Sequence, residues 1–168
     1  METPLLQFEI FTADLMNIAD IEILELLTQV YVSGGFTKPV EAVALFEPSE
    51  VRKRGILICA HEKQFSKLAG MVIVVPPDSA YLRMAGKNEA ELHLLGVKQE
   101  YQRQGLGRKL VEAAVESATC SGYSKIILWT QLSMNSAQKL YESAGFLHIG
   151  NMERNGRDFK VYERTICS

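Results

Sequence analysis

The run Gln102-Arg103-Gln104-Gly105-Leu106-Gly107 lies between a strand-forming segment and an amphipathic helical one, and no other stretch constrains the chain as much. Glu91 to Val97 reads as a strand. From Leu106 the apolar positions Leu110, Ala113, Ala114 and Ala118 follow helical spacing, and Gly122 supplies a stop. Glycines at such a junction leave the backbone open. Without Cβ atoms, successive N–H groups can curl around an anion and take dihedrals closed to other residues. The helix that follows adds its unpaired N-terminal N–H groups and the positive end of its dipole. Arg103, Arg108 and Lys109 can meet further phosphate charge. The run is neither a P-loop, which ends in Gly-Lys-Ser/Thr, nor a dinucleotide turn with three spaced glycines. A plain strand-to-helix turn uses glycines in the same way.

The elements around this turn are mixed rather than strictly alternating. Leu6, Phe8 and Ile10 alternate with polar residues as a half-buried strand does. Thr12 and Asp14 offer capping oxygens for a helical region reaching about Val32, stopped by Ser33-Gly34-Gly35. Val40 to Arg54 is a second helical region, interrupted near Pro48. Gly55 to His61 and Lys67 to Val75 predict an antiparallel hairpin, and Ser79 to Asn88 predicts loop. Lys125 to Gln131 predicts a strand, and Asn135 can cap a short helix that Gly145 ends. Phe146 to Met152 and Asp158 to Ile166 are two final strand-like runs. The order implies an α+β or mixed α/β layer fold, a single domain over residues 1–168.

Composition matters mainly for what it excludes. With 168 residues, 47% of them apolar, one domain can bury a core without disulfide or metal staples. A net charge of −2 argues against a general nucleic-acid binder and mildly favours a cationic acceptor. Cys59, Cys120 and Cys167 have neither zinc-ligand nor redox spacing, so no metal is expected and a reducing cytoplasm is. Met1 to Pro4 does not open a signal peptide, and Leu68 to Val75 is too short to cross a bilayer, so no membrane is expected.

Three motifs together resemble the GNAT superfamily of acyl-CoA N-acyltransferases. Gln102-x-x-Gly105-x-Gly107 matches its signature Q/R-x-x-G-x-G/A, the loop that binds the acyl-CoA pyrophosphate. Leu92-x-x-Leu95-x-Val97 is similar to its fourth strand. Asn135-Ser136-Ala137, followed by Tyr141 and Gly145-Phe146, resembles N-x-x-A-x-x-x-Y-x-x-x-G-F with one residue fewer after the asparagine. The resemblance implies a mixed, mostly antiparallel central sheet, splayed between strands 4 and 5 and flanked by helices. It implies acetyl-CoA as cosubstrate, its pantetheine arm pairing with the backbone of Leu95, Gly96 and Val97. Gly96 also fits a local bulge, a close backbone approach or simply the strand's end. Residues 102–108 (Gln102, Arg103, Gln104, Gly105, Leu106, Gly107 and Arg108) would hold the phosphates. Asn135 would bond the arm or cap its own helix. A homodimer is among the assemblies that the resemblance suggests.

Acetyl transfer to an amine needs a base, a polarised carbonyl and a stabilised thiolate. A lysine-like amine of pKa ~10.4 is about one part in a few thousand neutral at pH 7, a cost of roughly 4–5 kcal/mol. Glu91, eleven residues before Gln102, takes the place of a catalytic glutamate in some members, and partial burial would raise its pKa. His93 shares its strand face and can share the role, or be an ordinary strand histidine; Glu89 is a weaker candidate. Tyr141 matches the tyrosine that points at the cofactor sulfur and is the candidate acid. A backbone N–H of the Leu95–Val97 segment would polarise the carbonyl, worth about 2.7–4 kcal/mol. Direct attack in a ternary complex needs no covalent intermediate. The acceptor is expected to be a small-molecule amine or a peptide or protein amino group. The competing reading is a non-catalytic acyl-CoA-binding module. Residues 32–40 and 79–88 would shape the acceptor site, with Tyr31, Phe36 and Tyr81 as candidate lining.

Overall fold

Leu68 to Val75 is apolar at every position except Gly70, and the computed structural model, which describes residues 7–15 and 17–166, shows why. These residues form most of β3 (Lys67–Val75), and every one from Leu68 onward is buried. Val72 and Val74 enter a core on one face of the sheet, whereas Met71, Ile73 and Val75 enter a second core on the other. A strand covered on both faces needs apolar side chains in both registers. Each such side chain contributes about 1.5–3 kcal/mol when removed from water. Leu6, Met1 to Pro4 and Cys167 lie outside the described residues.

β3 sits inside a seven-stranded sheet of order β1-β2-β3-β4-β5-β7-β6. The remaining strands are β1 (Phe8–Thr12), β2 (Ile56–Glu62), β4 (Glu89–Val97), β5 (Lys125–Gln131), β6 (Leu147–Arg154) and β7 (Arg157–Thr165). All neighbouring pairs are antiparallel except β4 and β5. The predicted hairpin is β2–β3, and the mixed α+β class holds.

Helix α4 (Leu106–Cys120) covers one face with Leu106, Leu110, Val111, Ala114 and Ala118; of the stripe its spacing predicted, Leu110, Ala114 and Ala118 are buried, Ala113 is only partly so, and Val111 joins them. The other face is covered by α1 (Asp20–Leu27), through Ile23, Leu26 and Leu27, and by Phe46 and Val51. Val51 belongs to α3 (Pro48–Lys53), which α2 (Pro39–Leu45) precedes; proline opens each of these two helices, and they divide where Pro48 predicted. Helix α5 (Asn135–Ser143) ends at Gly145, whose φ of +87° is the left-handed geometry glycine takes readily.

The first helical region differs from expectation. Thr12 ends β1, a single 3₁₀ turn spans Ala13–Leu15, and α1 starts only at Asp20. Its N-cap is Ala19, without a side-chain bond, so neither Thr12 nor Asp14 caps it. Asp20 and Glu22 in the first turn supply negative charge where the dipole favours it. α1 continues into one π-helical turn, Thr28–Val32, before the expected glycine stop. Among the described residues no helix is long and apolar enough to cross a membrane.

Candidate active site

β4 and β5 run together for only three residue pairs, Glu89–Lys125, Ala90–Ile126 and Glu91–Ile127. Beyond them the two strands part. The pairing of β4 with β3 slips between Met71 and Ile73, where Leu94 takes φ +52°. That left-handed conformation costs a branched residue about 1–2 kcal/mol and marks a bulge that re-aims the strand. The bulge was expected at Gly96; it lies two residues earlier. Gly96 answers to the expectation of a close approach, because a Cβ there would stand 3.1 Å from Leu26 Cδ2 and 3.3 Å from Val30 Cγ2.

The parting opens a cleft of about 590 Å³. β4 contributes Leu95, Gly96 and Val97, the turn contributes Gln102, Arg103, Gly105, Leu106, Gly107 and Arg108, and α5 contributes Asn135 and Ala137. Of the residues expected to meet a cofactor, Gln104 and Lys109 do not line the cleft. Arg103 (φ +62°) and Gly105 (φ +76°) both take left-handed geometry just before α4, the kind of path that turns successive N–H groups toward one point. The two glycines serve different ends. A Cβ at Gly105 would meet nothing within 4 Å, so its dihedral is the constraint; at Gly107 it would meet Leu140 Cδ2 at 3.1 Å, so packing of α4 on α5 is. Gln102 Nε2 donates to the Val97 carbonyl at 3.0 Å and ties the turn to the strand. Arg108 bonds Glu112 and Ser143 on the surface, whereas Arg103 has no side-chain partner among the described residues. Asn135 does not cap α5; Met134 holds that position without a side-chain bond, which leaves the exposed Asn135 amide on the cleft wall.

A second cavity of about 230 Å³ meets the first at Tyr31, Leu95, Met134 and Ala137. The Tyr31 hydroxyl donates to the Leu95 carbonyl at 2.8 Å across this junction. Tyr141 and His93 line the second cavity; Glu91 lines neither.

Glu91 is fully buried. Its carboxylate accepts from the backbone N–H groups of Arg83 at 2.9 Å, Met84 at 2.6 Å and Ala85 at 2.7 Å, and from His93 Nε2 at 2.8 Å. Burial by itself would raise its pKa, but the His93 bond and the three backbone donors outweigh burial and hold it below the ordinary value. The expectation of partial burial and a raised pKa is thereby corrected: four donors solvate the charge, and a carboxylate so satisfied holds protons weakly. His93 is 5% exposed and packs edge-on against Trp129 at 5.0 Å. Its Nδ1 faces Arg54 at 3.2 Å. A guanidinium can only donate, so Nδ1 accepts and the ring proton sits on Nε2 toward Glu91. Burial first, then the charges of Arg54 and Arg83, press the His93 pKa below its usual value against the pull of Glu91. The ring is neutral at pH 7.

Tyr141 is 7% exposed, stacked edge-on with Phe146, and its hydroxyl has no hydrogen-bond partner among the described residues. Burial pushes its pKa far above the usual phenol value, so it stays protonated. Three candidate acceptor-site aromatics separate. Tyr31 lines both cavities, Phe36 lines the first, and Tyr81 lines neither, its hydroxyl bonding Glu50. Residues that sequence reading missed are Arg54, Arg83, Trp129 and Arg154 on the second cavity. They come from four separate segments, and no spacing marks them.

Three comparisons with known proteins agree with this architecture. The family model described as the acetyltransferase (GNAT) family matches residues 21–146. N-acetyltransferase 8 of Homo sapiens is 35% identical over 102 residues, covering 61% of this chain and 43% of that protein. N-acetylaspartate synthetase of Xenopus tropicalis is 37% identical over 68 residues, covering 40% of this chain and 25% of that protein. The match thus spans less than half the length of these curated relatives. The crystal structure of a Bacillus subtilis acetyltransferase in complex with CoA superimposes with TM-score 0.68 at 20% identity, covering 96% of this chain and 99% of that one. At that identity the likeness is one of fold.

Proposed function

The chain belongs to the GNAT acetyltransferase family, and on that premise we propose that it transfers the acetyl group of acetyl-CoA to the nitrogen of a primary amine. The observation that carries this reading is the opening between β4 and β5, edged on one side by the backbone of Leu95–Val97 and closed at its end by the left-handed turn at Arg103–Gly105 and the start of α4. The residues fit the cosubstrate. A helix of fifteen residues presents its N-terminus and an uncapped glycine to the cleft, beside the unpartnered Arg103, a setting suited to a pyrophosphate. The Leu95 carbonyl faces the cleft, and Tyr31 is the donor that an extended amide-bearing arm would replace. Both curated relatives carry names that place an acetyl group on nitrogen, and the B. subtilis neighbour holds CoA.

The acceptor would approach through the second cavity and meet the thioester at the Tyr31–Leu95 junction. His93, rather than Glu91 directly, is placed to take the amine proton, through its Nδ1 or a bridging water, once Arg54 releases that nitrogen. Glu91 fixes the tautomer from behind and stabilises the imidazolium that forms, so it is a positioning residue. A backbone N–H of Leu95–Val97 polarises the carbonyl. Tyr141 keeps its proton too tightly to surrender it to a thiolate of pKa ~8.5, so it stabilises the departing sulfur by hydrogen-bond donation. Thiol release from acetyl-CoA, measured against a panel of primary amines, tests the reading. Amine-dependent release is expected; tight acetyl-CoA binding with no release by any amine would reduce the protein to a binding module.

A further inference from the structure

Among the described residues the second cavity is lined by four arginines, Arg54, Arg83, Arg154 and Arg157, and by no acidic side chain. Only Arg157 has a carboxylate partner there, Glu41 at 2.9 Å. Arg83 and Arg154 have no side-chain partner among the described residues. Arg54 bonds only the His93 ring and the Leu45 carbonyl, and its Nε is buried without any partner. Desolvation and the neighbouring charge of Arg83 both weigh against the Arg54 guanidinium. The carboxylates near by among the described residues are already engaged: Glu41 with Arg157, Glu50 with the Tyr81 hydroxyl and Lys53, and Glu91 with three backbone N–H groups and His93. Arg83 is exposed and Arg54 and Arg154 are half-buried, so the unmet demand is sharpest at the buried Arg54 Nε; buried polar groups are normally paired, and like charges gathered along a cavity favour a counter-charge.

Building on the acetyltransferase reading, we infer that the acceptor is a small primary amine carrying at least one carboxylate, an α-amino acid or a close derivative, read by Arg54, Arg83 and Arg154. A guanidinium fork matches a carboxylate in two parallel bonds. The cavity, about 230 Å³, suits a molecule of amino-acid size, and Trp129 and Phe159 offer an apolar wall for its side chain. Carboxylate binding would also draw the Arg54 guanidinium off His93 Nδ1 and so expose the base only when the right acceptor is present. The chain's overall charge of −2 concealed this local excess of positive charge.

The test pairs each amino acid with its decarboxylated amine and its amide, for instance phenylalanine, phenethylamine and phenylalaninamide, and leucine with isoamylamine and leucinamide. Wild type should prefer the carboxylated member by about 10- to 100-fold in kcat/KM, chiefly through KM. In R83Q and R154Q, which alter side chains at the cavity rim, that preference should shrink by a similar factor. Equal use of carboxylated and carboxylate-free amines, with a ratio unmoved in both variants, overturns the inference while leaving the acetyltransferase intact. Calorimetric binding of N-acetylphenylalanine against N-acetylphenethylamine to the CoA-saturated protein reads the same preference without turnover. Carboxylate-selective binding by a protein that turns over no amine would support the cationic site and sink the catalytic proposal. No selectivity in binding would overturn the cationic site whatever the turnover.

Discussion

The two cavities that meet at Tyr31 and Leu95 are built on opposite plans. The larger one is walled mainly by one contiguous stretch, residues 95–108, and its chemistry lies in the backbone: a strand edge, a left-handed turn and the head of α4. The smaller one is assembled from side chains brought in by the end of α3, the loop before β4, the middle of β4, β5 and the β6–β7 hairpin. A backbone site binds what every member of a family shares and tolerates change in side chains. A side-chain site sets what is particular to one protein and can be rebuilt residue by residue.

Substitutions can break that contrast. The largest effect should fall on the side-chain site, at His93. His93→Gln removes the proton acceptor while keeping a polar neighbour for Glu91, and turnover should fall about 10²–10⁴-fold with little change in acetyl-CoA affinity. Steady-state kinetics with saturating acetyl-CoA would show it; a fully active variant would remove His93 from the mechanism. Glu91→Gln is the less clean probe. Its amide nitrogen would confront backbone donors, costing about 1–3 kcal/mol of stability besides activity, readable as a lowered Tm.

On the backbone side, Gly105→Val should weaken acetyl-CoA about 100-fold, since a β-branched residue cannot hold φ +76° without strain. Apart from its chain neighbours, no atom of the described residues stands within 4 Å of the added Cβ, so Gly105→Asn, which tolerates that dihedral, should recover much of the affinity. Titration calorimetry on the three proteins decides. If valine and asparagine weaken binding equally, contact with the ligand and not the dihedral is what matters.

Tyr141→Phe should have a smaller effect, about 10- to 100-fold in kcat, because the CoA thiolate is already a fair leaving group. The hydroxyl bonds nothing in the described protein, so thermal stability should hardly change. A large drop in Tm would return Tyr141 to a purely structural role.

The smallest signal is the pH dependence of stability. Both His93 and Glu91 have folded pKa values below their unfolded ones, so in each case the unfolded chain binds more protons over the interval between. Stability should be fully present at pH 7. It should decline as pH falls below about 6.5 through His93, and again below about 4.5 through Glu91. Tm measured from pH 7 to 5 should fall less in His93→Gln than in wild type, and identical slopes would show that His93 does not carry the first decline.

What could be read along the chain was whatever depends on neighbours in sequence. The helical stripe of Leu110, Ala114 and Ala118, the hairpin ending at Val75 and the glycine turn at Gly105 all appear where periodicity and turn chemistry place them. The late start of α1 was not legible, because Thr12 pairs with Ile58 across the sheet and a tertiary hydrogen-bonded partner overrode a local capping signal. The bulge at Leu94 was misplaced for a related reason, since a glycine two residues away looked the better host.

By itself the sequence determined the class of fold and the turn suited to a pyrophosphate, both written in spacings of a few residues. Only the tertiary structure decided that Glu91 is buried beneath three backbone N–H groups, that His93 and not Glu91 lines the second cavity, and that three arginines with no carboxylate partner among the described residues line it too. Burial, pKa and charge balance depend on which groups stand within a few ångströms, and those groups come from residues as far apart as 54 and 154. No local pattern records that distance.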